Sequence, residues 1–107
     1  MAFRRACSYQ ATIQPPEAPA TYSAVLVTFQ QNGQNLINKT LDDLTVGTNE
    51  FTVKLTQEET AQFEAGAQAW LQIRCFASEY NAPGSAAWPI DVLPALNDQI
   101  LEAPAEE

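Results

Sequence analysis

The sequence contains no histidine, and its 107 residues include only two cysteines, Cys7 and Cys75. Without histidine the chain cannot build a Ser-His-Asp or a Cys-His arrangement, and the common zinc sites lose their main ligand. Two cysteines are also too few to hold a metal cluster. The sequence therefore predicts a protein that is not an enzyme and that has no metal and no cofactor.

Basic residues and glycines are scarce as well. Five lysines and arginines stand against thirteen aspartates and glutamates, a net charge of -8, so no basic patch can neutralise a run of phosphates. The four glycines are isolated from one another and form no glycine-rich phosphate loop. No apolar run approaches the roughly 18 residues of a membrane span. We therefore expect neither nucleic acid nor a membrane among the partners.

The acidic residues include two adjacent pairs, Asp42-Asp43 and Glu58-Glu59. A calcium loop needs oxygen ligands at alternating positions around a glycine, and neither pair supplies them. We expect the two aspartates to be solvated turn residues. The two glutamates follow Thr56, and Thr-x-x-Glu is the capping box that begins a helix.

Short runs of alternating apolar and polar residues dominate the chain, as in strands with one buried face. The strongest hairpin signal is Asn32-Gly33, because a type I′ turn needs positive φ at both central positions and Asn and Gly accept it most readily. Val25, Val27 and Phe29 give the strand before this turn its apolar face. After the turn, Leu36-Ile37 are adjacent, so either one of them covers a second apolar surface or a bulge shifts the register.

The helix capped at Thr56 is predicted to be short. It follows a clear strand in which Phe51, Val53 and Leu55 are the apolar positions. Gly66 is well placed to end the helix. We expect Phe63 to fill one end of the core.

The longest alternating run extends from Ala69 to Ala77 and predicts a central strand. Its apolar positions include Cys75, which indicates a buried thiol rather than a nucleophile. A disulfide between Cys75 and Cys7 is the less favoured alternative. The last strand contains Pro89 and must therefore lie where the proline nitrogen need not donate a hydrogen bond.

Aromatic residues provide the candidate interface. Trp70 and Phe76 fall on the face of the longest strand opposite its apolar positions, and Tyr80 lies in the following loop. Exposed aromatic area of this kind marks a protein interface more often than a catalytic cleft. Two alternatives stay open: a stacking platform for a sugar or a peptide, or a surface covered by a neighbouring copy, a loop or the N-terminal arm.

Six to seven short strands and one short helix predict an all-β fold, an immunoglobulin-like antiparallel β-sandwich. The length suits a single domain over residues 1–107. We expect residues 1–8 to form a flexible N-terminal arm and residues 102–107 a flexible acidic tail.

Several motifs occur in a distinctive order between residues 21 and 101. They are Val25-x-Val-Thr-Phe29, Asn32-Gly33, Leu36-x-x-Lys-Thr-Leu41, Phe51-Thr-Val-x-Leu-Thr-Gln-Glu-Glu-Thr60, Leu71-x-Ile-Arg74 and Leu96-Asn-Asp-Gln-Ile-Leu101. This order resembles a family of small proteins from phages and prophages of Gram-positive bacteria, which is similar to the immunoglobulin-like N-terminal domain of phage baseplate upper proteins. Residues 1–20 and 81–88 depart from the family, and it supplies no functional residue to carry over.

The resemblance implies a non-enzymatic structural protein of the virion, associated with the tail or baseplate and made in the host cytoplasm. Its partners would be other phage structural proteins, and self-association into a homo-oligomer is left open. The alternative function is a carbohydrate- or peptide-binding β-sandwich module that uses Trp70, Phe76 and Tyr80.

Overall fold

The computed structural model describes residues 1–97 and 99–101, so the predicted acidic tail at residues 102–107 lies outside the described residues. Within them the chain forms eight strands and one short α-helix. None of its helical segments has the length and apolarity of a membrane span. The elements are β1 (Ala2–Arg4), β2 (Tyr9–Ile13), β3 (Ala24–Gln31), β4 (Gln34–Thr40), β5 (Thr45–Val46), β6 (Phe51–Leu55), α1 (Gln57–Thr60), β7 (Gln68–Phe76) and β8 (Trp88–Leu93), with 3-10 turns at Pro19–Thr21 and Leu41–Asp43.

The strands form two sheets that enclose one core. The larger sheet has the strand order β1-β8-β7-β3-β4, and the smaller has the order β2-β6-β5. All neighbours are antiparallel except β1 and β8, which run parallel. The predicted all-β sandwich with one short helix is confirmed. There are eight strands among the described residues rather than six or seven, and the additional strand is β1, which has only three residues.

The core lies between the sheets and takes one face from each. Strands β3 and β7 bury every second side chain, as their alternation of apolar and polar residues predicts. Cys75 is one of these residues and is 5% exposed. The largest side chains below 2% exposure are Phe29, Phe51, Phe63, Leu55, Leu71, Ile90, Val27 and Val53.

The β3–β4 hairpin has the predicted turn. Asn32 and Gly33 both have positive φ, 53° and 76°, as a type I′ turn requires. The pairing of β3 with β4 shifts register between Phe29 and Gln30. This shift corresponds to the bulge, one of the two alternatives for Leu36-Ile37, and it leaves Ile37 buried while Leu36 is only partly covered.

Helix α1 begins as predicted and ends earlier. The Thr56 hydroxyl accepts a hydrogen bond from the N–H of Glu59 at 3.2 Å, and the Glu59 carboxylate accepts one from the N–H of Thr56 at 2.9 Å. The α-helix stops at Thr60, so the expectation that it runs on to Gly66 is wrong. Gly66 instead lies in a later turn with a φ of 84°, and its N–H donates to the carbonyl of Val92.

Two aromatic residues close one end of the core. Phe63 is 1% exposed, as predicted, and its ring centroid lies 5.0 Å from that of Phe3. Phe3 is itself 4% exposed and also contacts Tyr9, at 5.3 Å. The expectation of a flexible arm over residues 1–8 is therefore wrong for Ala2–Arg4, because burial of Phe3 anchors this strand beside β8.

Proline is accommodated in β8 as the sequence predicts. The N–H of Asp91 donates to the carbonyl of Met1 at 2.9 Å. In a strand, the backbone nitrogens of residues two apart point to the same side. The nitrogen of Pro89 therefore points to the side of β8 on which β1 lies, at a position beyond the first residue of β1. The strand therefore loses no hydrogen bond to β7 at this position.

Candidate interaction surface

The outward side of the five-stranded sheet contains two of the three predicted interface residues, and we name it the outer face. Strand β7 lies at its centre and alternates buried with exposed residues. Its neighbours β3 and β8 present their own outward residues in register with it. The outer face includes Arg4, Leu26, Thr28, Gln30, Asn38, Trp70, Gln72, Arg74, Phe76, Asp91 and Leu93.

The structure separates the three predicted interface residues. Trp70 and Phe76 are 39% and 46% exposed and share the outer face. They are six residues apart on one strand, which at about 3.3 Å per residue separates them by about 20 Å. Tyr80 is 94% exposed and lies in the loop after β7. The three rings therefore do not form one stacking platform.

Uncharged polar side chains are fixed across the outer face by hydrogen bonds. The Thr28 hydroxyl donates to the Asn38 side-chain carbonyl at 3.0 Å, linking β3 to β4. The Gln72 amide donates to the backbone carbonyl of Ser85 at 2.9 Å. Because these side chains are already held, a docking partner would order few of them, which lowers the entropic cost of binding.

The charge of the outer face differs from that of the chain. Arg4 and Arg74 lie on it, against the single carboxylate of Asp91, while the whole chain has a net charge of -8. An acidic partner would meet little repulsion on this side. Sequence reasoning missed Arg74, although its even spacing from Trp70 and Phe76 on a strand places all three on one face.

The two cysteines lie in different environments and are not joined by a disulfide. Both Cys7 and Cys75 are free thiols, the first exposed and the second buried. Burial raises the pKa of the Cys75 thiol, which lowers the fraction of reactive thiolate at neutral pH. The predicted buried thiol is confirmed.

One residue of each acidic pair, Asp43 and Glu59, completes a capping box. The pKa of Asp43 is lowered, chiefly because its carboxylate accepts a hydrogen bond from the N–H of Thr40. Burial alone would raise the pKa of Glu59, but hydrogen bonds from Lys39 and from the N–H of Thr56 bring it below its usual value. No group of three or more metal-ligating side chains occurs among the described residues.

Solved structures identify the fold, whereas no family model and no curated protein matches the sequence. The chain resembles the immunoglobulin-like domain of mouse leukocyte-associated immunoglobulin-like receptor 1, with a TM-score of 0.52 at 8% identity over 87% of this chain and 86% of that chain. The fold is immunoglobulin-like. A second crystal structure of the same receptor, of its extracellular domain, gives a TM-score of 0.51 at 8% identity over 86% and 85% of the two chains. Both are strand-swapped dimers.

The immunoglobulin-like topology gathers three loops at one end of the sandwich, those after β2, β4 and β7. Tyr80 lies in the loop after β7, and Phe76 ends the strand that leads into it. The side chain of Asn81 donates to the carboxylate of Glu17 at 3.2 Å, which ties the loop after β7 to the loop after β2. Trp70 lies towards the opposite end of the same strand.

Proposed function

We propose that this protein is a non-enzymatic structural component of a phage virion, associated with the tail or baseplate, that docks onto other phage structural proteins through its outer face. The immunoglobulin-like fold is typical of protein–protein interaction modules. The observation that carries the docking proposal is the outward row of Trp70, Arg74 and Phe76 on the central strand. Trp and Arg are enriched among the residues that dominate binding energy at interfaces.

The dimensions of the outer face suit such a contact. The five strands are three to nine residues long. At about 3.3 Å per residue and about 4.8 Å between strands they cover a flat area of about 500 Å². The relief of the side chains raises the accessible area above this flat value, towards the roughly 800 Å² that each partner of a standard interface buries. Trp70 and Phe76 are the expected anchors, and the uncharged polar residues between them would contribute complementarity.

The virion assignment is supported by the sequence. The motif order within residues 21–101 resembles that of small phage proteins similar to the N-terminal domain of baseplate upper proteins. On this proposal the protein is made in the host cytoplasm and then incorporated into the particle. A carbohydrate-binding role finds less support, because Trp70 and Phe76 are about 20 Å apart along their strand and cannot stack on one sugar ring.

Mass spectrometry of purified particles, produced by induction of the genome that encodes the chain, tests this proposal. We expect the wild-type protein in the particles. The double variant Trp70→Ala/Phe76→Ala should fold and be lost from them. Val46→Ala is the matched control, because Val46 is an exposed apolar residue on the smaller sheet, and this variant should be incorporated normally.

Two results would contradict the proposal. A wild-type protein that is abundant in the producing cells and absent from the particles would remove the virion role. Normal incorporation of the double variant would leave that role intact and show that another surface docks.

A further inference from the structure

A second surface lies at the side of the sandwich where β2 and β8 approach each other, away from the outer face. A cavity of about 340 Å³ opens there. Its walls include the core residues Ile13, Ile73 and Cys75, together with Trp88 and Pro15-Pro16. None of the residues that line it has a charged side chain.

Strand β1 covers the lower half of this side of the sandwich, and the cavity lies in the upper half. It pairs with β8 from Asp91 to Leu93 and inserts Phe3 between the sheets. Phe3 stands opposite Val92, and Trp88 lies four residues up the same strand, about 13 Å away. Among the described residues no strand covers this upper half, where the cavity opens.

The edge of β2 beside the cavity is also unpaired. Within the described part of the chain β2 bonds to β6 and is the edge strand of its sheet. Every second N–H and C=O of an edge strand points away from its only neighbour and can bond to an added strand. A free strand edge that ends in an apolar pocket is the arrangement by which sheets accept an extended peptide.

We propose that the cavity receives an uncharged apolar side chain from an extended segment of another polypeptide, which adds to the free edge of β2 in line with β1. The molecule contains its own precedent, since β1 is an extended segment that places Phe3 between the same two sheets. The cavity is near the lower limit of about 300 Å³ for ligand pockets, which suits one or two side chains. A carboxylate or an ammonium group would find no side chain of opposite charge among the residues that line the cavity and would bind less well than an apolar group.

The test uses the protein with two substitutions, Cys7→Ser and Trp70→Phe. These leave Cys75 and Trp88 as the single thiol and the single indole, and both line the cavity. The probes are three capped pentapeptides, acetyl-Thr-Thr-X-Thr-Thr-amide, in which X is Phe, Ala or Asp. A fourth probe is the Phe peptide with every backbone amide N-methylated, which keeps the side chain and prevents strand pairing.

The Phe peptide is expected to shift the fluorescence of Trp88 in a saturable way. It should also slow the reaction of Cys75 with N-ethylmaleimide, about threefold at a concentration of twice its dissociation constant. The Asp peptide and the N-methylated peptide should do neither at the same concentrations. The Ala peptide should bind more weakly than the Phe peptide.

A blocking variant provides the control on location. Ile13→Phe adds an aromatic ring to the cavity wall and should abolish protection of Cys75. Far-UV circular dichroism checks that this variant folds, and the N-methylated peptide tests the proposal independently if it does not. Equal effects of the Phe and Asp peptides, equal effects of the Phe and N-methylated peptides, or no binding of the Phe peptide would overturn the proposal. None of these results bears on docking through the outer face.

Discussion

Strand β1 pairs with β8 and places one side chain, Phe3, in the core. Replacing Phe3 by Ala tests how much this side chain contributes to stability. Phe3 is 4% exposed, and its ring lies 5.0 Å from Phe63 and 5.3 Å from Tyr9. Truncation of a buried Phe to Ala costs about 3–5 kcal/mol. Because β1 is an edge strand and can withdraw rather than leave a cavity, we expect a value near the lower end, about 3 kcal/mol.

Chemical denaturation followed by tryptophan fluorescence measures this free energy, and thermal unfolding provides a second reading. For a domain of this size a loss of about 3 kcal/mol corresponds to a fall in Tm of about 12–24 °C. Phe76→Ala is the matched control, because it removes the same atoms from a side chain that is 46% exposed. Because about half of this side chain is buried, it should cost about 1 kcal/mol.

A second variant, Phe3→Leu, separates loss of volume from loss of the strand. It keeps an apolar side chain at position 3 of β1 and should lower the free energy of unfolding by less than about 1.5 kcal/mol. The reasoning would be refuted by a Phe3→Ala protein within about 0.5 kcal/mol of the wild type, the range of ordinary surface substitutions. In that case residues 1–8 would be the flexible arm that the sequence predicts.

Three further predictions concern local structure. Thr56→Ala should lower the free energy of unfolding by about 1 kcal/mol through loss of the cap; a neutral result in urea titration would mean that the cap contributes nothing. Replacing Asn32-Gly33 by Val-Val should cost about 2–4 kcal/mol, because two β-branched residues would need positive φ; unchanged thermal stability would contradict the type I′ turn. The folded-state pKa of Glu59 lies below the 4.5 of the free group, so its stabilising contribution is complete above that pH and is lost as the pH falls through the folded pKa. The stability advantage of the wild type over Glu59→Gln should therefore shrink on acidification, and a pH-independent difference would contradict this assignment.

Local signals were sufficient for much of the fold. Asn32-Gly33 and the capping box at Thr56 each depend on chemistry within a few residues, and both were predicted correctly. The alternation around Phe29 and Cys75 predicted which side chains are buried. The adjacent Leu36-Ile37 left two alternatives open, a bulge or a second apolar surface, because neighbouring side chains of a regular strand point to opposite faces.

The features that the sequence did not reveal depend on contacts between distant segments. Strand β1 has three residues, too few to show a period, and its partner β8 lies at the other end of the chain. Helix α1 ends early because the chain after Thr60 turns to place Phe63 in the core. The sequence could not show this, because a glycine such as Gly66 is equally suited to ending a helix and to forming a later turn. The cavity beside Ile13 and Trp88 exists only because two strand ends meet in space.

The candidate surface was predictable in part. Alternation placed Trp70 and Phe76 on one face, but their separation of about 20 Å depends on their sharing a single extended strand. The charge of the face was not predictable, because Arg4, Arg74 and Asp91 come onto one face of one sheet only through the pairing of β1, β8 and β7. The sequence therefore indicated the aromatic anchors without the surface around them.

Hydroxyl-radical footprinting of the protein in purified particles, compared with the free protein, tests docking through the outer face most directly. Trp70 lies on that face, and Trp88 provides a reporter of the same side-chain type at the cavity on the other side of the sheet. Our account predicts that the oxidation rates of Trp70 and Phe76 fall several-fold on assembly while that of Trp88 changes less. Equal oxidation of Trp70 in the free and the assembled protein would contradict it.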